Sequence, residues 1–179
     1  IDFAYDDEEL AGASDEATVT LENVDRAGLI IDERGEADEG FETINMVVSS
    51  DSELATFTAE DLATLNISGA GDLTIGNTYD VDESAGGNKE ATGYTAGMVE
   101  VAGSLETVDA SAMTGDLTYH IGAEIDATKE GTTSGLINMT ITGGEGDDHF
   151  VLNDGADVGG ATTNTDIIDG GEGTDTLTV

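Results

Sequence analysis

Aspartates recur every nine residues near the C-terminal end of the chain, at positions 148, 157, 166 and 175. Cutting residues 143–178 in this phase gives four blocks of nine, and the first and last blocks share one complete pattern. The pattern is Gly-Gly-x-Gly-x-Asp-x-U-x, in which U is a large apolar residue. It is filled by Gly143, Gly144, Gly146, Asp148 and Phe150, and again by Gly170, Gly171, Gly173, Asp175 and Leu177.

The residue types in this pattern suit a hard cation. Glycine pairs let the backbone reach positive φ, so that carbonyl oxygens can turn towards a small ion. The sixth-position aspartate adds a carboxylate, and Ca²⁺ takes six to eight oxygen ligands of this kind. The apolar eighth residue is expected to point into the fold from a short strand. We predict Ca²⁺ as the cofactor, and the alternative is that the glycine-rich segments are ordinary turns of a β-rich fold.

The two middle blocks are degenerate, which limits the number of ions expected. Ala161, Thr162 and Asn164 replace the three glycines of the third block, and Leu152 and Asn153 replace the glycine pair of the second. One or two ions are therefore expected rather than a regular series. The candidate ligands are Gly143, Gly144, Gly146, Asp147, Asp148, Asp157, Asp166, Asp169, Gly170, Gly171, Gly173 and Asp175.

The nonapeptide resembles the calcium-binding repeat of RTX proteins, which form a parallel β-roll. The resemblance covers about a fifth of the chain. In that family one nonapeptide forms half a coil, so blocks two apart stack and share an ion. The resemblance therefore implies that residues 143–148 stack on residues 161–166, and residues 152–157 on residues 170–175.

A second repeat lies upstream. Leu21–Asp25, Phe41–Asn45, Leu62–Asn66 and Leu105–Asp109 resemble one another, and their starts are 20, 21 and 43 residues apart. Apolar residues alternate with Thr, Asp, Asn or Ser in most of the chain, which is the period of β-strands and predicts, for example, a strand over Thr43–Val48. Strand repeats of this length indicate a solenoid, and a β-sandwich is the alternative. We predict an all-β fold: a parallel β-solenoid (β-helix) with coils of about 20 residues, running into a C-terminal RTX-type parallel β-roll.

The expected organisation is one continuous domain. Residues 1–142 form the solenoid region, with a polar, glycine-rich loop insertion near 80–97, and residues 143–179 form the calcium-binding roll. A single helical turn is expected at Thr58–Leu62. Since the chain starts at Ile1 and ends within the repeat pattern, we expect it to be cut from a longer chain.

Composition excludes several functions. Forty acidic residues oppose four basic ones, for a formal charge of −36, so no basic patch is available for nucleic acid or an anionic membrane surface. No run of 18 apolar residues exists, and no membrane span is expected. Adaptation to salt is an alternative cause of the acidity, although it does not explain a spacing of nine. Further calcium candidates, with solvated charge as the alternative, are the acidic clusters at residues 6–9, 36–39 and 80–83.

No catalytic constellation is present, so we do not expect an enzyme. The two histidines, His120 and His149, lack zinc-site spacing, and no G-x-S-x-G elbow, phosphate loop or Cys nucleophile occurs. We expect His149 to be solvent-exposed and His120 to be a packing or surface residue.

Two segments extend the resemblance. Leu105–Ser111 and Asp169–Leu177 are similar to segments of bacterial S-layer and related surface proteins that carry RTX repeats. In those proteins a β-solenoid builds a lattice or fibre, and calcium rigidifies coils and bridges subunits.

The function predicted from these observations is structural. We expect a secreted, calcium-stabilised protein that assembles with copies of itself into a cell-surface layer, fibre or matrix, at a bacterial surface or in a secreted matrix. Weak calcium sites operate where free Ca²⁺ is near millimolar, which is outside the cell. The alternatives are a non-catalytic RTX module of a secreted enzyme or large adhesin, and a carbohydrate-binding module, for which exposed aromatics are scarce.

Overall fold

The structure is a computed structural model that describes residues 2–5, 14–33, 40–59, 62–76, 99–101, 105–121, 139–152 and 167–178. Within these ranges the chain forms β-strands and no helix. The strands are β1 Asp2–Tyr5, β2 Glu16–Leu21, β3 Ala27–Glu33, β4 Thr43–Val48, β5 Ser52–Ala59, β6 Thr64–Gly69, β7 Leu73–Ile75, β8 Val99–Val101, β9 Thr107–Met113, β10 Leu117–Ile121, β11 Thr140–Thr142, β12 His149–Leu152, β13 Ile167–Asp169 and β14 Thr176–Thr178.

Apart from β8, the strands alternate between two parallel sheets. The first sheet has the order β1-β3-β5-β7-β10-β12-β14, with β8 also paired to β5, and the second has the order β13-β11-β9-β6-β4-β2. Parallel strands need a crossover connection, and here the strand of the other sheet lies within that connection. We use "layer" for one strand of the second sheet and the next strand of the first: β2–β3, β4–β5, β6–β7, β9–β10, β11–β12 and β13–β14. The predicted all-β class with parallel strands is confirmed.

Alternating side chains form a core between the sheets. In β4, Ile44, Met46 and Val48 are fully buried, while the residues between them are only partly covered. This period of two follows from the strand geometry, because successive side chains point to opposite faces. The buried core residues are Leu21, Leu29, Ile31, Ile44, Met46, Val48, Leu54, Phe57, Ala59, Leu62, Leu65, Ile67, Leu73, Ile75, Leu105, Val108, Ala110, Met113, Leu117, Tyr119, Ile141 and Phe150.

The eighth position of the nonapeptide joins this core in one block of the two. Phe150 pairs with Tyr119 and is 1% exposed, as predicted. Leu177 pairs with Phe150 in the same column of residues but is 51% exposed. Leu177 therefore faces the same side as Phe150 from a short strand, as expected, and it stays exposed because no described strand covers the outer side of β14.

The upstream repeat is in register in three of its four copies. Asn45 aligns with Asn66, and Asn66 aligns with Asp109. Asn66 Nδ2 donates to Asn45 Oδ1 at 2.8 Å, so the aligned amides form a ladder between layers. The predicted equivalence of the first copy, Leu21–Asp25, with the others is wrong, because Leu21 is the last residue of β2 and pairs with Val48. A pattern of five residues is too short to fix the register of a strand.

Two further expectations have different outcomes. The helical turn at Thr58–Leu62 is wrong at its start, since Thr58 and Ala59 lie in β5 and Ala59 is buried in the core. The loop near residues 80–97 and the acidic clusters at 6–9, 36–39 and 80–83 lie outside the described residues.

Strands on both sides of residue 142 belong to the same two sheets. The division into two regions there stays a prediction.

Candidate metal centre

A column of aspartates runs along the turns that lead from the second sheet to the first. It consists of Asp51, Asp72, Asp116 and Asp147, one from each of four successive layers, all exposed. The backbone N–H of each aspartate donates to Oδ1 of the preceding one, at 3.1, 3.0 and 2.8 Å. Thr174 N–H continues the series, donating to Asp147 Oδ1 at 2.8 Å. We call these residues the aspartate column, and their carboxylates join successive layers.

Glycines stand next to the aspartate column because the layers approach closely there. A Cβ on Gly115 would lie 2.4 Å from the carbonyl oxygen of Gly71, and one on Gly146 would lie 2.6 Å from that of Gly115. A Cβ on Gly173, where φ is +101°, would lie 2.2 Å from the carbonyl oxygen of Gly146. Real Cβ atoms do not approach backbone this closely, so the stacking itself requires glycine.

Asp148 is the sixth residue of the first complete nonapeptide and directly follows Asp147. In contrast to the aspartate column it is buried, with 1% of the residue exposed. Leu117 N–H donates to its Oδ1 at 2.8 Å, and Gly144 N–H donates to its Oδ2 at 2.7 Å. Its own N–H donates to Asp175 Oδ1 at 3.0 Å. Asp148 therefore connects three layers, and a carboxylate replaces the Leu73 and Leu117 side chains of earlier layers.

The first glycine of each complete block makes room for the aspartate of that block. A Cβ on Gly143 would lie 2.2 Å from Asp148 Oδ2 and 2.1 Å from the carbonyl oxygen of Gly170. A Cβ on Gly170 would lie 2.2 Å from Asp175 Oδ2. The spacing of five between glycine and aspartate thus has a steric cause in both blocks.

The neighbouring layer also requires glycine at the second position of each complete block. A Cβ on Gly144 would lie 2.4 Å from the carbonyl oxygen of Met113, and one on Gly171, at φ +90°, would lie 2.3 Å from that of Gly144. The Gly144 oxygen also accepts the N–H of Glu172 at 2.9 Å. In the described turns this carbonyl bonds the next layer.

Burial is the main electrostatic influence on Asp148. It raises the pKa of the Asp148 carboxyl above its ordinary value, because the charged form loses its hydration. The N–H groups of Leu117 and Gly144 oppose this shift by stabilising the carboxylate, and the charges of Asp175 and Asp116 add to it. The site therefore holds a desolvated negative charge beside two like charges.

The stacking of the blocks differs from the expected one. Residues 143–148 were predicted to stack on residues 161–166, whereas the structure stacks them on residues 170–175. Asp148 and Asp175 are 27 residues apart, while Asp51 and Asp72 are only 21 apart. The layers therefore differ in length, and a fixed half-coil of nine residues does not set the register. Asp157 and Asp166 lie outside the described residues.

Comparisons of the chain with models of protein families, with curated proteins and with solved structures find no match. The likeness to RTX and S-layer proteins therefore rests on the motif residues. In the described part of the chain, no helix is long and apolar enough to cross a membrane.

The residue types of the motif fit Ca²⁺, but the structure brings few carboxylates together. Asp148, Asp175 and the Gly170 carbonyl offer hard oxygens of the kind Ca²⁺ prefers. Across the described residues, however, no group of three or more His, Cys, Asp or Glu side chains is placed to hold a metal ion. Asp169 Oδ1 accepts the N–H of Gly171 at 3.2 Å, and Asp147 belongs to the aspartate column. The calcium site stays a prediction, with Asp148 and Asp175 as its central carboxylates.

Sequence analysis missed Asp51, Asp72 and Asp116, which share a column with Asp147. The signal was present, because Gly71-Asp-Leu and Gly115-Asp-Leu align with Gly146-Asp-Asp and Gly173-Thr-Asp. The upstream repeat and the nonapeptide differ in sequence and in spacing. At this turn they occupy the same positions of successive layers.

Proposed function

We propose that the protein is a non-catalytic, extracellular structural protein: a parallel β-solenoid with an RTX-type C-terminal roll, stabilised by Ca²⁺, that assembles with copies of itself into a surface layer, fibre or matrix. The carrying observation is the aspartate column, in which carboxylates at successive turns bond successive layers. Polar side chains here connect layers along a stack, as in a repeat scaffold whose units contact only their neighbours.

The calcium part of the proposal is supported by charge as well as by the two complete nonapeptides. The column places like charges on adjacent layers, where strands are about 4.8 Å apart, and the whole chain carries −36. Such charges repel and destabilise a compact state unless cations screen them. A divalent cation that binds the folded state and not the unfolded one stabilises it by mass action.

The experiment is a Ca²⁺ titration of EDTA-treated protein, followed by far-UV circular dichroism and light scattering together. A β-sheet signal that develops with Ca²⁺ and not with Mg²⁺ or NaCl, accompanied by growing particles, is the expected result. Calcium-specific folding without growth in size would favour the RTX module of an enzyme or adhesin. An equal response to NaCl would overturn the calcium part, because general screening would then be sufficient.

A further inference from the structure

The two histidines of the chain are neighbours on the outer face of the first sheet. His149 of β12 pairs with Thr118 of β10, and His120 lies two residues beyond Thr118. Leu117 and Tyr119 point into the core, so Thr118 and His120 occupy the opposite face. Paired strands about 4.8 Å apart and two residues of rise give roughly 8 Å between the Cα atoms of this diagonal pair. Two imidazole rings reach a common ion across such a distance.

His120 is buried with an unused nitrogen. The residue is only 8% exposed, and its Nδ1 has no hydrogen-bond partner within the described ranges. Buried polar atoms without partners are rare in native proteins, and a bound ion is one of their established explanations.

A hydrogen bond between Nε2 of His149 and a threonine of β14 orients the His149 ring. Its Nε2 and Thr178 Oγ1 are 2.8 Å apart in a solvent-exposed hydrogen bond, and the residue as a whole is partly exposed. When Nε2 carries the proton and donates to Thr178, the lone pair is on Nδ1. A hydrogen bond to the second ring nitrogen is the usual way in which proteins orient a metal-binding histidine.

We propose that His120 and His149 form a two-imidazole site for a borderline divalent transition-metal ion such as Zn²⁺. Imidazole suits Zn²⁺, Cu²⁺ and Ni²⁺, whereas Ca²⁺ prefers hard oxygen ligands, so this site is chemically distinct from the calcium prediction. In the described part of the chain, no third His, Cys, Asp or Glu completes the set. Two protein ligands leave coordination positions for water, so the ion is exchangeable.

The test uses the full chain labelled with ¹⁵N-histidine, titrated with Zn²⁺ in excess Ca²⁺. Excess Ca²⁺ competes for carboxylates, and the ring signals report on imidazole alone, because the chain has only two histidines. The nitrogens of both rings should shift together and saturate at one Zn²⁺ per chain. His149→Gln should raise the Zn²⁺ concentration needed to shift the His120 nitrogens at least tenfold. Thr176→Ser, a control beside His149 on β14, should leave the titration unchanged.

Two results would overturn the site. The first is a His120 signal that does not move while Zn²⁺ binds elsewhere, as carboxylate binding alone would give. The second is an unaltered His120 titration in His149→Gln, which would show that the two rings do not share an ion. Because His149 is the less buried ring, this variant tests the site without removing a core residue, and circular dichroism verifies its fold.

Discussion

The backbone N–H of Asp148 donates to Oδ1 of Asp175 at 3.0 Å, and this bond joins the two complete nonapeptides across adjacent layers. The Oδ1 atom of Asp148 in turn accepts the N–H of Leu117, which lies in the preceding layer. Each sixth-position aspartate therefore bonds the backbone of the preceding layer. The aspartate column runs the other way, because each of its carboxylates bonds the following layer. The two sets together join the turns that contain Asp116, Asp148 and Asp175 in succession.

Replacing Asp148 by asparagine should destabilise the protein. Both carboxylate oxygens accept backbone N–H groups, and the amide keeps one acceptor while turning an N–H₂ group towards a donor. A buried donor without a partner costs about 1–3 kcal/mol, so the free energy of unfolding should fall by about that amount. Urea unfolding of Asp148→Asn and of the parent protein at neutral pH, both in the saturating Ca²⁺ under which the protein is expected to be folded, measures this difference.

The matched control is Asp147→Asn in the same turn. Asp147 is exposed and accepts a single N–H through Oδ1, a role that an amide oxygen also fills. Its effect should stay within about 0.5 kcal/mol, as for most surface substitutions. Equal losses in the two variants would mean that charge, and not the buried hydrogen bonds, determines the effect.

An alanine at Gly115 should disrupt the stacking of layers. Its Cβ would lie 2.4 Å from the carbonyl oxygen and 2.7 Å from the carbonyl carbon of Gly71, and backbone atoms have little freedom to move away. Overpacking of this kind costs about 1–3 kcal/mol or more. The urea midpoint of Gly115→Ala should therefore fall clearly below that of the parent protein.

Gly28→Ala serves as its comparison. There the new Cβ would meet Thr56 Oγ1 at 2.8 Å, and a threonine side chain can rotate away at small cost. The loss of stability should be smaller than at Gly115. A loss at Gly28 as large as that at Gly115 would contradict the explanation by backbone contact.

Most of the strand content was readable from sequence because the core side chains alternate. Ile44, Met46 and Val48 alternate with polar or partly covered residues, and the predicted strand over Thr43–Val48 agrees with β4. β5 was missed, because Ser52–Ala59 mixes Glu, Ala and Thr with few large apolar residues. Its inward positions are recognisable only once its parallel neighbours are known.

The order of stacking was not readable, for a different reason. Local spacing places Gly143 and Asp148 in one motif, and the two residues are in contact within one turn of the structure. Their predicted shared role as calcium ligands stays a prediction. It did not show that residues 143–148 stack on residues 170–175, since the length of chain between layers varies. Register is fixed by contacts between layers, and these combine residues from distant parts of the sequence.

The carboxyl of Asp109 should titrate below its ordinary value of 3.8. The Ser111 side chain and then its backbone N–H, 3.0 Å from Oδ1, lower the pKa of Asp109 by stabilising the charged form. Since the folded-state pKa is the lower one, Asp109 contributes stability above about pH 3.8 that is lost as the pH falls through the folded value. Carboxyl NMR titration of Ser111→Ala should show the Asp109 pKa moving up.

Ser49→Ala, an exposed serine in a turn of an earlier layer, is the control for that titration. It should leave the Asp109 pKa where it is in the parent protein. An Asp109 pKa that is the same in Ser111→Ala and in the parent would show that the hydroxyl has no part in the shift.

Removing a carboxylate from either complete nonapeptide should increase the Ca²⁺ concentration required for folding. Asp148→Ala and Asp175→Ala each delete a predicted hard-oxygen ligand, and a lost ligand weakens binding to the folded state and hence its stabilisation by the ion. We expect the midpoint of the Ca²⁺ titration, followed by circular dichroism, to rise at least severalfold in both. Asp51→Ala removes the same charge from the aspartate column outside the nonapeptides, and its midpoint should stay near that of the parent. Unchanged midpoints in both nonapeptide variants, or an equal rise in Asp51→Ala, would remove the basis for placing calcium at Asp148 and Asp175.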